Sequence, residues 1–217
     1  MTVKNTPIQY PVGIEDLYIV MMADGKDSKV ELPTYDEDVY SMTNIVDVGI
    51  AGNSSNFTKW ASNQMIINVT KNSQYTLTFN LAGLPQELKD KIFGVLREKG
   101  VAFDDSEVKE MPYFALGLIC PLNDGTKIAR WYPRCQITPT DESMATLTAE
   151  MDIPDQQYVI TASPLIYNKV TKTDFNSGDA TAKDITVEDY MKNVICDKTQ
   201  LENLGGNTPP ASRKGDK

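Results

Sequence analysis

The chain has 217 residues, of which 41% are hydrophobic and 24% charged, and this ordinary globular composition excludes disorder throughout. Its 30 acidic residues outnumber the 21 basic residues, and this net charge of -9 argues against a protein that binds a polyanion such as DNA. Because no run of about 18 apolar residues occurs and the first ten residues lack an apolar signal core, we expect no membrane span and folding in the cytoplasm.

Alternating apolar residues, turn signals and β-branched or aromatic enrichment predict eight or nine strands along the chain. The first hairpin is predicted to join 17–22 to 30–32 through the turn residues Asp24 and Gly25. The remaining predicted strands are 44–50, 64–70, 74–81, 113–122, 127–137, 145–153 and 157–167, with a polar insertion over 51–64.

The apolar spacing changes from strand to helix directly after 74–81. Leu84, Leu88 and Ile92 fall three or four residues apart, which predicts a helix that begins at Pro85 and ends at Gly100. A second helix is predicted over 187–196. These elements predict a mainly β fold with one flanking helix (α+β), namely an antiparallel β-sandwich or barrel of about eight strands.

For that second helix, Thr186 is the expected N-cap and Asp189 stands at the matching position three residues later. From Asn203 onward the chain is rich in Gly, Pro and polar residues without periodicity, which predicts a flexible tail.

One stretch breaks the acidic pattern of the chain. Lys59 and Lys71 are the only charged residues from Ala51 to Asn80. The polar insertion within it carries Phe57 and Trp60, and large aromatic residues in a polar loop are candidates for anchoring in another protein surface. The alternative is that both rings fold back onto their own domain.

The chain lacks the residues and motifs that most kinds of enzyme catalysis require. The chain contains no histidine, which removes Ser-His-Asp and Cys-His catalysis and His-ligated metals. No phosphate-binding glycine motif or nucleophile elbow occurs. The acidic pairs that remain lie in predicted turns, where carboxylates are solvated: Glu15 and Asp16, Asp36 to Asp38, Asp104 and Asp105, and Asp141 and Glu142. We therefore expect no enzyme activity, no metal and no cofactor.

The cysteines are three in number and widely spaced, at Cys120, Cys135 and Cys196. An odd count without a C-x-x-C pair is typical of reduced thiols that fill a core, and it does not favour a disulfide framework or a zinc site.

Three stretches in order resemble a known family: PVGIEDLYIVMMADG from Pro11, LAGLPQELKDKIFGV from Leu81 and PYFALGLICPLNDGTKIARWYPRC from Pro112. They are similar to the major tail tube protein of long, non-contractile bacteriophage tails, particularly those of Gram-positive hosts. The resemblance covers about 11–167, and the region from Asn168 onward departs from it.

This resemblance implies a tail-tube-like β domain over 13–197 with its long insertion near 51–64, preceded by an arm at 1–12 and followed by the flexible tail at 198–217. It implies hexameric rings whose sheets join into an inner barrel, and rings that stack into the tube through which the genome leaves the virion. The expected self-assembly residues are Ile50, Phe57, Trp60 and Ile66.

The implied partners are further copies of the chain, with the tape measure, tail terminator and distal tail proteins. Six copies would carry 6 × (-9) = -54 charges per ring, so DNA would pass through without specific binding. The implied location is the virion tail, assembled in the bacterial cytoplasm. Two alternatives stay open: another tail component such as a terminator or baseplate hub, and a monomeric β-barrel that binds a ligand or glycan through Trp60 and Trp131.

Overall fold

The computed structural model describes residues 7–23, 27–103, 110–139, 155–182 and 185–204. In chain order the elements are β1 (Asp16–Met22), β2 (Tyr35–Met42), β3 (Ile45–Ala61), β4 (Gln64–Leu81), α1 (Gln86–Phe93), β5 (Arg97–Glu98), β6 (Val101–Ala102), β7 (Phe114–Pro121), β8 (Lys127–Thr138), β9 (Gln156–Ala162), β10 (Thr173–Asn176) and α2 (Val187–Met191), followed by a 3-10 helix (Lys198–Asn203). The predicted mainly antiparallel β fold with few helices is confirmed.

The main sheet runs in the order β2-β1-β7-β8-β9-β4-β3, and each of these pairings is antiparallel. β10 is the eighth strand and pairs with the first part of β8, while β9 pairs with its last part. Within the described residues this sheet is open, with β2 and β3 as its two end strands.

Both faces of the sheet centre are covered, because alternate residues of β7 belong to different hydrophobic clusters. Phe114, Leu116 and Leu118 pack in the larger cluster with the buried residues of α1. Ala115 and Ile119 point the other way and pack in a second cluster with α2. The structure therefore adds a second cover to the one flanking helix that was predicted.

The first helix is shorter than predicted. It begins after Pro85 and buries Leu88 and Ile92, as expected, but it ends at Gly94, whose φ of 63° is the left-handed conformation that glycine adopts most readily. The predicted end at Gly100 is wrong, because the chain turns back there between β5 and β6.

The predicted start of the second helix is confirmed in detail. Thr186 Oγ1 accepts a hydrogen bond from the Asp189 amide at 3.0 Å, and the Asp189 carboxylate accepts one from the Thr186 amide at 3.3 Å. The helix ends at Met191, earlier than the predicted Cys196.

Gly117 lets the second helix approach the sheet closely. It lies directly opposite Trp131 on β8, and a Cβ at this position would be 2.8 Å from Trp131 Cζ3 and 2.5 Å from Met191 Cε. Trp131 is fully buried, and its indole Nε1 donates a hydrogen bond to the Tyr190 carbonyl at 3.3 Å. The indole ring thus joins β8 to α2 through the space that Gly117 leaves empty.

Two strand predictions need correction. β1 pairs with β2, not with the predicted 30–32, and Val30 is exposed. β2 was not predicted, because its carboxylates hide the alternation expected of a strand. The predicted strand 145–153 and the turn at Asp24 and Gly25 lie outside the described residues.

The two chain ends also differ from the prediction where they are described. The predicted flexible tail starts at 198, but Lys198–Asn203 form the 3-10 helix, and the Gln200 side chain accepts hydrogen bonds from the Cys196 and Asp197 amides. At the other end, the Val12 amide of the predicted arm donates to the Pro121 carbonyl at 2.9 Å. Residues 1–6 and 205–217 lie outside the described part of the chain.

A buried ion pair fixes the connection that follows β9. The Asp27 carboxylate is fully buried and accepts hydrogen bonds from the Ile166 and Tyr167 amides. Arg134 Nε lies 3.5 Å from this carboxylate, which is ion-pair range without hydrogen-bond geometry.

The guanidinium of Arg134 has further partners around this pair. It lies 4.3 Å from the Tyr113 ring centroid and donates to the Tyr113 hydroxyl and to the Pro164 carbonyl. Arg134 therefore connects β8 to the segment before β7 and to the segment after β9.

The three cysteines pack as predicted: Cys135 and Cys196 are buried and Cys120 is half-buried. Burial raises the pKa of all three thiols, that of Cys196 to about 11, so little thiolate forms near neutral pH. We expect an aromatic disulfide reagent at about pH 8 to modify Cys120 slowly and the other two only after unfolding. Rapid native-state labelling of Cys196, measured by mass spectrometry, would contradict this.

Candidate assembly surface

The end strand β3 and its neighbour β4 form one long hairpin that extends past the rest of the sheet. β9 pairs with β4 only from Tyr75 to Leu81. Beyond that point, 54–61 and 64–72 pair only with each other among the described residues. We call 54–72 the projecting hairpin, and its strands are roughly 26 Å long at about 3.3 Å per residue. The loop predicted over 51–64 is wrong, because 51–61 and Gln64 are strand and only 62–63 form a turn.

A bulge marks the place where the projecting hairpin leaves the sheet. The cross-strand register shifts between Asn53 and Ser54, which leaves Ser73 as the extra residue of β4. The Ser73 hydroxyl donates a hydrogen bond to the Asn53 carbonyl at 2.7 Å. Since bulges add local twist, this one separates the core-packed base of the hairpin from its projecting part.

The projecting hairpin exposes large apolar side chains. Phe57, Trp60 and Ile66 are 62%, 64% and 62% exposed. The alternative in which Phe57 and Trp60 pack on their own domain is therefore wrong. Exposed apolar patches of this kind mark interaction surfaces.

In the regular part of the projecting hairpin the apolar residues share one face. Phe57 and its partner Val69 lie two positions from Lys59 and its partner Ile67, so these four side chains point the same way. The register shifts between Lys59 and Trp60, so this alternation does not continue unchanged to the turn. The projecting hairpin therefore has an apolar stripe on one face of its regular part.

The structure brings three of the four predicted residues together. Phe57, Trp60 and Ile66 share the projecting hairpin, whereas Ile50 lies at its base, opposite Leu77. The sequence interpretation missed further exposed apolar residues of the same surface, namely Met65, Ile67 and Val69. The sequence predicted 64–70 only as a strand, and such a pattern fits a strand that meets another molecule as well as one that meets the core.

The charges of the projecting hairpin are both positive. Lys59 and Lys71 carry them, and neither has an ion-pair partner in the part of the chain that the structure describes. The surface is therefore apolar and weakly basic within an acidic protein.

The turn of the hairpin uses two residues in the left-handed region, Ser62 with a φ of 50° and Asn63 with a φ of 60°. Two-residue turns of this type favour glycine at the second position. We expect Asn63→Gly to stabilise the projecting hairpin by up to about 1 kcal/mol and Asn63→Ala to weaken it, because alanine tolerates this region less well than asparagine. Cross-strand proton contacts between Trp60 and Met65 in NMR spectra measure the change. Equal effects of the two substitutions would contradict this account of the turn.

Other candidate sites receive little support. Among the described residues no group of three or more His, Cys, Asp or Glu could hold a metal ion. Asp36, Glu37 and Asp38 are exposed, and Glu15 pairs with Lys127. The other acidic pairs, Asp104 and Asp105 with Asp141 and Glu142, fall outside the described residues. In the same described part, no helix is long and apolar enough to cross a membrane.

Trp131, the second proposed ring for glycan stacking, is fully buried and is not available to a ligand. Its neighbours make other contacts: Arg130 pairs with Asp174 at 2.6 Å, and Arg134 stacks on Tyr113. The carbohydrate-binding alternative therefore retains only Trp60 of its two rings.

Comparison with protein-family models and with curated proteins finds no match to this chain.

Proposed function

We propose that this chain is a structural protein whose copies assemble into stacked hexameric rings, forming the tail tube of a long, non-contractile phage tail. The observation that carries the proposal is the projecting hairpin, which exposes large apolar residues and contains no carboxylate. Because such a surface is costly to leave in water and ready to be desolvated, it supports a role in contacts between copies.

The open sheet gives a second line of support. Among the described residues its end strands β2 and β3 have no further strand beside them, and such edges are the places where a sheet is continued by another chain. A ring requires two different surfaces on each copy, one for each neighbour, and the two ends of this sheet provide two.

The expected partners follow from the proposal: copies of the chain itself, and the tape measure, terminator and distal tail proteins. The tube would form in the bacterial cytoplasm and become part of the virion. Its acidic chains would let DNA pass without specific binding, since six copies carry a formal charge of 6 × (-9) = -54. No catalytic step is proposed.

The proposal is tested with the purified full-length chain by sedimentation velocity and negative-stain electron microscopy over a range of concentrations. We expect concentration-dependent tubes of uniform diameter with a regular axial repeat. Single rings that never elongate would favour a terminator or hub protein. A monomer at the highest soluble concentration would overturn the proposal, and saturable glycan binding by that monomer would favour the carbohydrate-binding alternative.

A further inference from the structure

The end of the sheet opposite the projecting hairpin is strongly acidic. The end strand β2 carries Asp36, Glu37 and Asp38, all of them exposed. Asp38 lies 3.9 Å from Lys91, whereas Asp36 and Glu37 have no ion-pair partner among the described residues. Among the described residues, one sheet edge therefore holds unpaired negative charge, and the other holds the unpaired lysines of the projecting hairpin.

A groove lies between this acidic edge and the second helix. Its volume is about 460 Å³. Asp36, Glu37 and the exposed Val39 line its β2 side, whereas Val20 and Trp131 beneath it are covered. Lys192 lies on the α2 side, but its ammonium is 2.6 Å from the Asp189 carboxylate and so is already neutralised. A partner in the groove therefore meets Val39 and a net acidic rim.

The acidic residues also limit which strands can pair with the edge of β2. The register between β1 and β2 shifts between Val20 and Met22, so the acidic residues lie in an irregular part of the edge strand. Charges and bulges on an edge keep unselected apolar strands away. A strand that brings its own positive charge meets attraction instead, which makes the edge selective.

The occupant cannot be the chain's own hairpin. β2 and β3 run in the same direction and are joined by only two residues, 43 and 44, so the projecting hairpin at the far end of β3 extends away from the acidic residues near the start of β2. Contact between the projecting hairpin and the groove therefore requires a second copy. Such a head-to-tail contact uses different surfaces on the two partners and can close into a ring.

We propose that the projecting hairpin of one copy docks into the groove between β2 and α2 of a second copy, with Lys59 facing Asp36 and Glu37. This inference rests on the proposed function, because it names the surface that receives the hairpin during assembly. Apolar hairpin side chains enter the groove, and the lysine and carboxylates fix the direction of the contact.

Charge exchange tests the contact in the full-length protein. We expect Lys59→Glu alone, and Asp36→Lys with Glu37→Lys, each to raise the critical concentration for assembly about tenfold or more, because like charges then meet. The protein carrying all three substitutions should return to within about threefold of the wild-type value. Sedimentation velocity gives the critical concentration, and an unchanged melting temperature of the monomer shows that each variant folds.

The matched control exchanges exposed charges elsewhere, with Glu98→Lys and Lys99→Glu, and should assemble like the wild type. A second measurement uses Glu37→Cys with Lys59→Cys, which should give a ladder of oxidised multimers, whereas Lys59→Cys with Glu202→Cys should give none.

Each outcome bears on one of the two proposals. Tubes that form at unchanged concentration in every charge variant, or a triple variant that is not rescued, would overturn the docking site and leave the proposed function standing. A wild-type chain that never assembles would overturn both.

Discussion

Replacing Phe57 and Trp60 together with alanine should raise the critical concentration for assembly by about a hundredfold or more. Both rings are more than half exposed in the single chain, so their removal takes no packing contacts from the folded core. At an interface, a buried aromatic anchor is worth about 2 kcal/mol or more, and each 1.4 kcal/mol is about tenfold in affinity. Sedimentation velocity measures the loss of assembly, and the melting temperature of the monomer should stay unchanged.

Phe103→Ala is the matched control, because this phenylalanine is 80% exposed yet lies outside the projecting hairpin. It should assemble at the wild-type concentration. If the double alanine variant also did so, the projecting hairpin would not be the assembly surface. If Phe103→Ala were as severe, the contact would be a general apolar association.

Replacing Arg134 with methionine should destabilise the folded chain by about 3 kcal/mol, because the fully buried Asp27 carboxylate loses its only cationic contact among the described residues. For a chain of this length, that corresponds to a fall of roughly 6–12 °C in melting temperature. The backbone donors at Ile166 and Tyr167 remain, but they do not neutralise the charge. Thermal unfolding followed by circular dichroism gives the measurement.

Arg130→Met provides the comparison, since its partner Asp174 is partly exposed and such pairs contribute less than about 1 kcal/mol. Adding Asp27→Asn to the Arg134→Met variant should recover part of the loss, because the uncompensated charge is then gone. Additive losses in this double variant would show that Asp27 and Arg134 act independently.

The elements that were predicted well are those whose signals are local. Thr186 and Asp189 cap each other because the motif needs only four consecutive residues. The neighbouring strands β7 and β8 were likewise predicted, at 113–122 and 127–137, from their own apolar and β-branched residues. In each case the residues that specify the structure are neighbours in the chain.

The projecting hairpin shows why other elements were missed. Residues 51–61 are mostly small and polar and lack alternation, so nothing local marks them as strand. They are strand because β4 continues past the end of β9 and offers its edge. A pairing that depends on where another strand stops cannot be read from the segment itself.

The candidate surface was only partly predictable for a related reason. Phe57 and Trp60 were conspicuous as aromatic residues in a polar setting, whereas Met65, Ile67 and Val69 follow the pattern of an ordinary buried strand. The groove that we propose as the docking site has no sequence pattern at all, because β2 and α2 come together only through the fold.

The contact of Gly117 with Trp131 and Met191 has a consequence for recognising relatives of this chain. An alanine at position 117 would clash with Trp131 and Met191. The indole ring and the helix can therefore pack in this arrangement only where position 117 is glycine. Divergent homologues in which α2 covers this face of the sheet should therefore conserve Gly117, Trp131 and Met191 together. Homologues that lack the glycine should also lack the tryptophan.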